Sequence, residues 1–340
     1  MKVKVLCSLQ RLRGFPRSHV FPHSEKINRV GGCNLVSGSP VSQQTECLSQ
    51  HTEEMGGGES KPESPVLDEP WRQINWDDKQ HDVQFLNDYA PQTDVEQLRI
   101  LLHGPIGAGK SSFVNSVKTV LEGKMCRKAP VAKSVSSYTK EYKTYKVQKG
   151  SRNTFFSFVL NDTMGLKYGS YKERRIHVKD IKRVMKGQVK DGYVFNPESK
   201  ISKDDRFYNA SPTPDDKVHV LVCVIDASTL PALKKENFEA IQEIRDEAGD
   251  RGIPHVTILT KIDEAFPEIH KDLKNVYRSK ALKKRMEQFS ADVGFPLNCI
   301  FPVKNYHSEI NLNSDNDILI LNALRNIINI GEERLSNRDE

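Results

Sequence analysis

The chain lacks the long apolar run that a membrane-spanning helix requires. Crossing a bilayer takes about 18 or more consecutive apolar residues, and the 340-residue sequence contains no such run. Its six cysteines are scattered, without a Cys-x-x-Cys pair. A disulfide framework and a cysteine-based zinc site are therefore not expected. This usage predicts a reducing compartment, the cytoplasm.

A large excess of one charge is absent as well. The formal net charge is +6 over 340 residues, which does not require a nucleic-acid partner, and none is predicted. The basic cluster KALKKR at residues 280–285 is interpreted as the solvated face of a helix rather than as a surface for an anionic partner.

The N-terminal region lacks the apolar content of a folded domain. Residues 36–65 are rich in Ser, Gly, Gln and Glu, and such a segment buries too little apolar surface to offset its ordering entropy. The first 24 residues are basic without an acidic residue, but Pro16 and Pro22 argue against the amphipathic helix of a transit peptide. We predict a disordered tail over residues 1–65 and a fold that starts near Trp71.

A glycine-rich loop is present. GPIGAGKSS, residues 104–112, fits the pattern G-x-x-x-x-G-K-[ST]. Glycines let the backbone turn its N–H groups toward a phosphate, the lysine reaches the β- and γ-phosphates, and the serine hydroxyl ligates Mg²⁺. An apolar strand pattern precedes the loop, and a helical pattern follows it. The predicted nucleotide contacts here are Gly104, Gly107, Ala108, Gly109, Lys110, Ser111 and Ser112.

A second element, DTMG at residues 162–165, ends the later strand of a predicted hairpin. Asp162 is predicted to steer Mg²⁺ and Gly165 to bond a γ-phosphate through its N–H. Ser111 and Asp162 are therefore the first two predicted metal contacts. Thr139 and Thr144 both qualify by type as a third; Thr139 is preferred because Thr144 lies inside the strand, and the alternative is that Thr139 is an ordinary loop residue.

The remaining apolar strand patterns predict the fold class and the base of the bound nucleotide. Two apolar runs, residues 217–226 and 253–260, flank an amphipathic helix. This alternation predicts an α/β fold of the P-loop NTPase type, with a doubly wound, mostly parallel sheet flanked by helices and the ligand at the carboxyl ends of its strands.

The second run ends in TKID, which matches the N-K-x-D element of GTPases with threonine in place of asparagine. Asp263 accepts from guanine N1–H and the N2 amino group, a pair of donors that adenine does not offer. Lys261 covers the purine face, and Thr260 ties the turn to the phosphate loop. GTP with Mg²⁺ is therefore the predicted ligand.

Five strings together resemble the interferon-induced protein 44 and 44-like family: LRILLHGPIGAGKSSF, DTMG, KGQVKDGYVFNP, LTKID and PVKNY. The resemblance covers about residues 66–335, and its spacer phrase KGQVKDGYVFNPESKIS is more specific than the phosphate-loop pattern. It implies a GTPase-like cytoplasmic protein induced in the antiviral response. It names no protein partner.

The residue after DTMG bears on the reaction. Switch GTPases place a glutamine there to orient the attacking water, whereas this chain has Leu166. Either hydrolysis is slow, or another group assists it, from a second subunit of a nucleotide-dependent dimer or from the segment after DTMG. The sequence assigns no catalytic residue, and a nucleotide-stabilised interaction scaffold without hydrolase activity is the alternative. An ATPase or nucleotide kinase is disfavoured by TKID.

Residues 166–216 form an insertion longer than an ordinary strand-to-helix connection. Because the insertion leaves DTMG directly, we expect it to change shape with the bound nucleotide. Its basic residues are interpreted as solvated or partner-facing rather than as a finger that neutralises phosphate charge: Lys172, Arg174, Arg175, Lys179, Lys182 and Arg183.

Overall fold

The computed structural model describes residues 63–127, 129, 140–151, 153–167 and 170–336. Most of the predicted tail lies outside the described residues, and so does Thr139. The strands are β1 (Leu98–His103), β2 (Lys143–Gln148), β3 (Phe155–Asp162), β4 (Val220–Asp226), β5 (His255–Thr260) and β6 (Ile300–Pro302). The helices are α1 (Lys79–Asp88), α2 (Lys110–Glu122), α3 (Tyr171–Met185), α4 (Lys235–Asp250), α5 (Ile262–Ala265), α6 (Pro267–Lys271), α7 (Lys280–Val293) and α8 (Ser314–Ser336).

The six strands form one sheet in the order β2-β3-β1-β4-β5-β6. Strand β2 runs antiparallel to β3, and every other neighbouring pair is parallel. All seven residues of β4 are buried, as expected for a central strand covered by helices on both faces. The predicted α/β fold with a mostly parallel sheet and flanking helices is confirmed.

Two apolar cores lie on opposite faces of this sheet. Alternate residues of β1 point to opposite faces, so that Leu98, Ile100 and Leu102 belong to one core while Leu101 belongs to the other. The first core includes side chains of α2 and α8, and the second includes side chains of α3, α4 and α7. Among the described residues, no helix is long and apolar enough to cross a membrane.

The described residues of the insertion pack against the sheet. Helix α3 begins with a capping box between Ser170 and Glu173 and adds Ile181 and other apolar side chains to the second core. The buried carboxylate of Asp180 accepts from the Tyr193 hydroxyl at 3.0 Å and from the Ile201 amide at 2.9 Å. These bonds join α3 to the chain that follows it.

The same insertion pairs with the segment before β2. The Tyr142 amide donates to the Tyr193 carbonyl at 2.7 Å, and the Gly192 amide donates to the Tyr142 carbonyl at 2.8 Å. The Phe195 amide donates to the Lys140 carbonyl at 2.9 Å. Residues 140–142 are therefore held by the insertion, a contact that the sequence patterns did not predict.

The N-terminal end of the described chain is attached to the fold a few residues before Trp71. Val66 forms a bridge with Ser279, and the Leu67 amide donates to the Arg278 carbonyl at 2.8 Å. Trp71, the predicted start of the fold, packs edge-on against Tyr277 with ring centroids 5.2 Å apart. Residues 63–70 are exposed or only partly buried, and backbone hydrogen bonds at Pro65 and Leu67 attach them to residues 278–280.

Close packing between α8 and the sheet generates a stability prediction. A Cβ placed on Gly331 would lie 2.5 Å from Val220 Cγ2 and 2.9 Å from Leu98 Cδ1, both fully buried side chains. We expect Gly331→Ala to lower the free energy of unfolding by about 1–3 kcal/mol through overpacking, despite the roughly 1 kcal/mol that alanine adds to helix propensity.

The matched control is Gly249→Ala in α4, where an added Cβ meets nothing within 4 Å. There the propensity gain acts alone, so the variant should be more stable by roughly 0.5–1 kcal/mol. Urea unfolding of both variants and the parent measures the difference. Equal or increased stability of Gly331→Ala would show that α8 does not pack this tightly.

Candidate functional site

The glycine-rich loop joins β1 to α2 at the carboxyl edge of the sheet. Gly104 has φ 139°, and a Cβ there would lie 2.1 Å from the Val224 carbonyl oxygen. Gly109 has φ 91° and directly precedes α2. Both positions exclude a larger residue, the first because β4 lies against it and the second because of its left-handed backbone.

Lys110 lies inside this loop. Its side chain is buried, and its ammonium donates to the carbonyls of Gly104 at 3.1 Å and Pro105 at 3.0 Å. Burial lowers the pKa of this lysine, while the charge of Asp162 acts in the opposite direction. A cation held against the inner wall of a glycine loop is suited to phosphate oxygens, because hydrogen bonds between charged groups are strong.

Ser111 and Asp162 meet beside the lysine. The Ser111 hydroxyl donates to Asp162 Oδ2 at 2.5 Å, which joins the start of α2 to the end of β3. Two hard oxygen donors of this kind suit Mg²⁺, which takes its other ligands from water and substrate phosphates. Within the described part of the chain, no group of three or more histidine, cysteine, aspartate or glutamate side chains is placed to hold a metal ion.

Thr144, the other threonine considered as a metal ligand, makes its contacts away from Ser111 and Asp162. Its hydroxyl donates to Asn161 Oδ1 at 2.9 Å. That amide oxygen also accepts from the Tyr142 hydroxyl at 3.1 Å and from Arg99 at 3.0 Å. Thr144 therefore belongs to a network inside the sheet, while Thr139 stays a prediction.

The segment after Asp162 pairs with the glycine loop itself. The Leu166 amide donates to the Gly104 carbonyl at 2.9 Å, and the Ile106 amide donates to the Leu166 carbonyl at 3.2 Å. A Cβ on Gly165 would lie 2.7 Å from Ile106 Cα, so only glycine fits there. The Leu166 side chain is fully buried in the second core and offers no polar group to a water.

The TKID turn lies against the opposite side of the loop. The Thr260 hydroxyl lies 2.7 Å from the Ala108 carbonyl oxygen and 3.2 Å from the Ile225 carbonyl oxygen. The contact with Ala108 is the bond to the phosphate loop that the sequence predicts for Thr260. Asp263 lies in the first turn of α5, two residues after the N-cap residue Lys261.

Lys261 has a left-handed backbone and a buried partner. Its φ is 54°, which costs a non-glycine residue of order 1–2 kcal/mol. The ammonium lies 2.6 Å from Asp226 Oδ2, and Asp226 is buried at the end of β4. This ion pair holds the side chain against the strand edge, so the turn is fixed from both sides.

Three residues of this edge were missing from the predicted site. Asp226 holds Lys261, Lys304 lies 3.9 Å from the Asp263 carboxylate, and the Asn305 amide donates to the Gly109 carbonyl at 3.3 Å. A signal for each existed, because VCVID and PVKNY both place polar residues directly after an apolar strand. Only the strand order brings them beside the glycine loop.

The basic residues of the insertion point mostly to other protein groups. Lys172 pairs with Glu198 at 2.9 Å, and Lys182 pairs with Glu243 at 2.9 Å. Arg183 donates to the Ile201 carbonyl, and Arg175 stacks on the exposed Tyr171 ring at 5.5 Å. These contacts favour the interpretation of a solvated surface over that of a charge-neutralising finger.

Two buried histidines lie near Lys110. His103 ends β1 and His177 lies on α3; burial, followed by the charge of Lys110, lowers the pKa of each to about 3. A backbone interaction with Met164 raises the pKa of His177 in part. Both imidazoles are therefore neutral in the folded protein at neutral pH.

This pair predicts acid sensitivity. The folded pKa lies below the ordinary value of about 6.5, so the unfolded chain binds more protons and stability falls as the pH drops below that value. Between pH 7.5 and 5.5 each histidine should remove about 1.4 kcal/mol from the free energy of unfolding. Denaturant unfolding across this range measures the slope.

A variant isolates the histidine contribution. His177→Gln should reduce the pH dependence of the free energy of unfolding by the contribution of one histidine. The control is His270→Gln, a change at an exposed position that leaves the buried pair intact. An unchanged slope in His177→Gln would contradict the assignment of a neutral buried imidazole.

Comparison with known proteins identifies relatives at the sequence level. The chain is 35% identical over 247 residues to interferon-induced protein 44 of Homo sapiens and of Pan troglodytes, which covers 72% of this chain and 55% of each relative. It is 33% identical over 251 residues to human interferon-induced protein 44-like, covering 74% of this chain and 55% of that protein. The chain thus spans about half the length of the curated relatives it matches. No family model matches it.

Two solved structures show a distant likeness to the chain. Toc33 from Arabidopsis thaliana, in complex with Mg²⁺ and GMPPNP, has a TM-score of 0.43 and 15% identity over 75% of this chain and 92% of that chain. A GTP-binding protein from Sulfolobus solfataricus, in complex with GDP, has a TM-score of 0.36 and 18% identity over 70% of this chain and 53% of that chain. Likenesses this remote transfer neither a ligand nor a mechanism.

Proposed function

We propose, from the premise that this chain is a relative of the interferon-induced protein 44 and 44-like proteins, that it binds GTP together with Mg²⁺ and hydrolyses it slowly or with the help of a partner. The observation that carries the proposal is the bond from Thr260 to Ala108. It joins a turn with guanine-selective chemistry to a loop with phosphate-binding chemistry.

The phosphate half of the site is built from the glycine loop. Lys110 supplies a buried cation, and the start of α2 adds the partial positive charge of a helix N-terminus. Ser111 and Asp162 are the residues that would hold Mg²⁺, which neutralises phosphate charge when bound. Gly107, Ala108, Gly109 and Ser112 complete the proposed contacts to the phosphates, and Gly165 is the proposed sensor of the γ-phosphate.

The base half depends on Asp263. A carboxylate accepts two hydrogen bonds from donors that guanine presents and adenine lacks. Lys304 lies 3.9 Å from this carboxylate and also pairs with Glu309 at 3.1 Å, which holds the acid at the strand edge. Thr260 and Lys261 fix the turn, so the acceptor is preorganised before a base enters.

Leu166 argues for a low intrinsic rate. Its side chain is buried and its backbone is used in two hydrogen bonds with the glycine loop. Leu166 stands at the sequence position where switch GTPases have a water-orienting glutamine, and its side chain has no polar atom. The same observation favours the second candidate, a nucleotide-stabilised interaction scaffold without hydrolase activity. A nucleotide-dependent dimer would supply the missing group from a second copy.

The biological setting is proposed from the relatives alone. Their names describe proteins induced by interferon, and we propose a role in the antiviral response for this chain, in the cytoplasm, with protein partners that are not identified.

Base selectivity is the first expected outcome. Asp263→Asn should weaken GTP binding by at least about 100-fold, because the acceptor for two guanine donors is lost. The same variant should gain affinity for xanthosine triphosphate, whose ring offers an oxygen in place of the amino group. Calorimetric titration of the parent and the variant with GTP, ATP and xanthosine triphosphate measures both changes.

Two variants of the phosphate half are the controls for this measurement. Lys110→Ala should abolish binding of every triphosphate, and Ser111→Asn should weaken GTP·Mg²⁺ more than GDP. Equal affinity of the parent for ATP and GTP would contradict guanine selectivity. Parent-like binding by both loop variants would show that the glycine loop is only a turn.

The hydrolysis rate is the second expected outcome. The isolated protein should hydrolyse GTP at or below about 10⁻³ per second, the scale of an unassisted switch GTPase. A rate that rises with protein concentration would indicate a group supplied by a second copy, because assembly follows mass action. Single-turnover assays at two widely separated concentrations distinguish these cases, with Lys110→Ala as the blank. A fast rate independent of concentration would contradict the interpretation of Leu166.

A further inference from the structure

Asn305 and Thr260 hold neighbouring carbonyls of the glycine loop from two different strands. Thr260, at the end of β5, bonds the Ala108 carbonyl at 2.7 Å, and Asn305, after β6, donates from Nδ2 to the Gly109 carbonyl at 3.3 Å. A Cβ placed on Gly109 would lie 3.0 Å from Asn305 Nδ2 and 3.3 Å from Thr260 Oγ1. Both side chains therefore converge on Gly109.

The two side chains differ in what they offer. The asparagine of an N-K-x-D element carries a donor and an acceptor on one planar amide, whereas a threonine hydroxyl has a single proton to donate. At Thr260 the loop bond to Ala108 uses that proton. The amide function that TKID lacks is present in this site on Asn305.

The neighbours of Asn305 fix its position. The Tyr306 amide donates to Ser116 Oγ on α2 at 2.9 Å, and the Tyr306 hydroxyl donates to Asp317 on α8 at 2.7 Å. Lys304, on the other side, forms an ion pair with Glu309 at 3.1 Å. The amide is thus carried by a segment anchored at both ends rather than by a loose loop.

The oxygen of the Asn305 amide has a different environment from its nitrogen. Asn305 Oδ1 is buried and has no hydrogen-bond partner within the described residues. A buried acceptor without a donor is costly and rare in folded proteins. A bound nucleoside brings hydroxyl and ring N–H donors to this edge of the sheet, and an acceptor here is suited to receive one.

We propose that Asn305 is a positioning residue of the nucleotide site, which supplies from β6 the amide that the TKID turn lacks at Thr260. Through Gly109 it sets the position of the loop just before Lys110, and through Oδ1 it contributes an acceptor for the nucleoside. The proposal rests on the proposed binding of guanine nucleotide and adds a residue that lies outside the glycine loop, DTMG and TKID.

Reciprocal rescue tests it. Asn305→Ala should speed amide hydrogen exchange of residues 104–112 in the protein without nucleotide and weaken GDP and GTP binding about tenfold, the scale of one buried hydrogen bond. Adding Thr260→Asn to that variant returns an amide to the site from β5 and should restore both quantities to within about threefold of the parent. Asn311→Ala, at an exposed position in the same connection, is the matched control and should change neither.

A second variant guards against misfolding. Asn305→Asp keeps the shape but replaces the donor to Gly109 by an oxygen, and it should weaken binding at least as much as the alanine variant. Unchanged exchange and affinity in Asn305→Ala and Asn305→Asp would overturn the proposal. The proposal would also be overturned if Asn305→Ala lowered the affinity and adding Thr260→Asn did not restore it. An asparagine with a purely structural role could not be replaced by an amide from another strand.

The two proposals fail in different ways. A parent protein that binds no guanine nucleotide contradicts the proposed function, and the exchange measurement then still decides whether Asn305 positions the loop. A parent that binds GTP while both Asn305 variants behave like it contradicts only the role of Asn305.

Discussion

The site depends on how the carbonyl oxygens of the glycine loop are bonded. A loop that turns its N–H groups toward a ligand must satisfy its carbonyls elsewhere, and here neighbouring elements do so. Leu166 and Lys110 donate to the Gly104 carbonyl, Thr260 donates to that of Ala108, and Asn305 shares that of Gly109 with the Phe113 amide of α2. Leu166, Thr260 and Asn305 come from three different parts of the chain. The loop therefore has its shape only when β3, β5 and β6 are in place around it.

The insertion takes part in the same arrangement. It begins at Leu166, beside the glycine loop, and its residues 192–195 hold residues 140–142 through backbone bonds. The segments before β2 and after β3 are thus both in contact with the insertion, whose helix α3 packs on the second core. Leu166 contacts the glycine loop, and residues 192–195 of the same insertion contact residues 140–142. This gives a physical basis for the expected nucleotide dependence, since packed elements move as units.

Several parts of the site could be predicted from the sequence because they depend on residues that are close together in the chain. The spacing of Gly104, Gly109 and Lys110 reflects the geometry of one loop, and the apolar runs before it and before TKID reflect burial of central strands. Asp226, Lys304 and Asn305 were not assigned because each has meaning only through a neighbour far along the chain. An asparagine five residues after a strand begins is common, and its contact with Gly109 depends on β6 lying beside β5.

The sequence alone determined the α/β architecture, the glycine loop, the acidic strand end at Asp162 and the TKID turn, because these depend on periodicity and on backbone sterics within a few residues. Tertiary structure alone decided that α3 of the insertion packs on the second core, that Leu166 pairs with the loop, and that the Asn305 amide lies beside Thr260 at Gly109. Those features arise where strand ends converge at one edge of the sheet. Contacts between residues 109 and 305 follow from strand order, which local patterns do not encode.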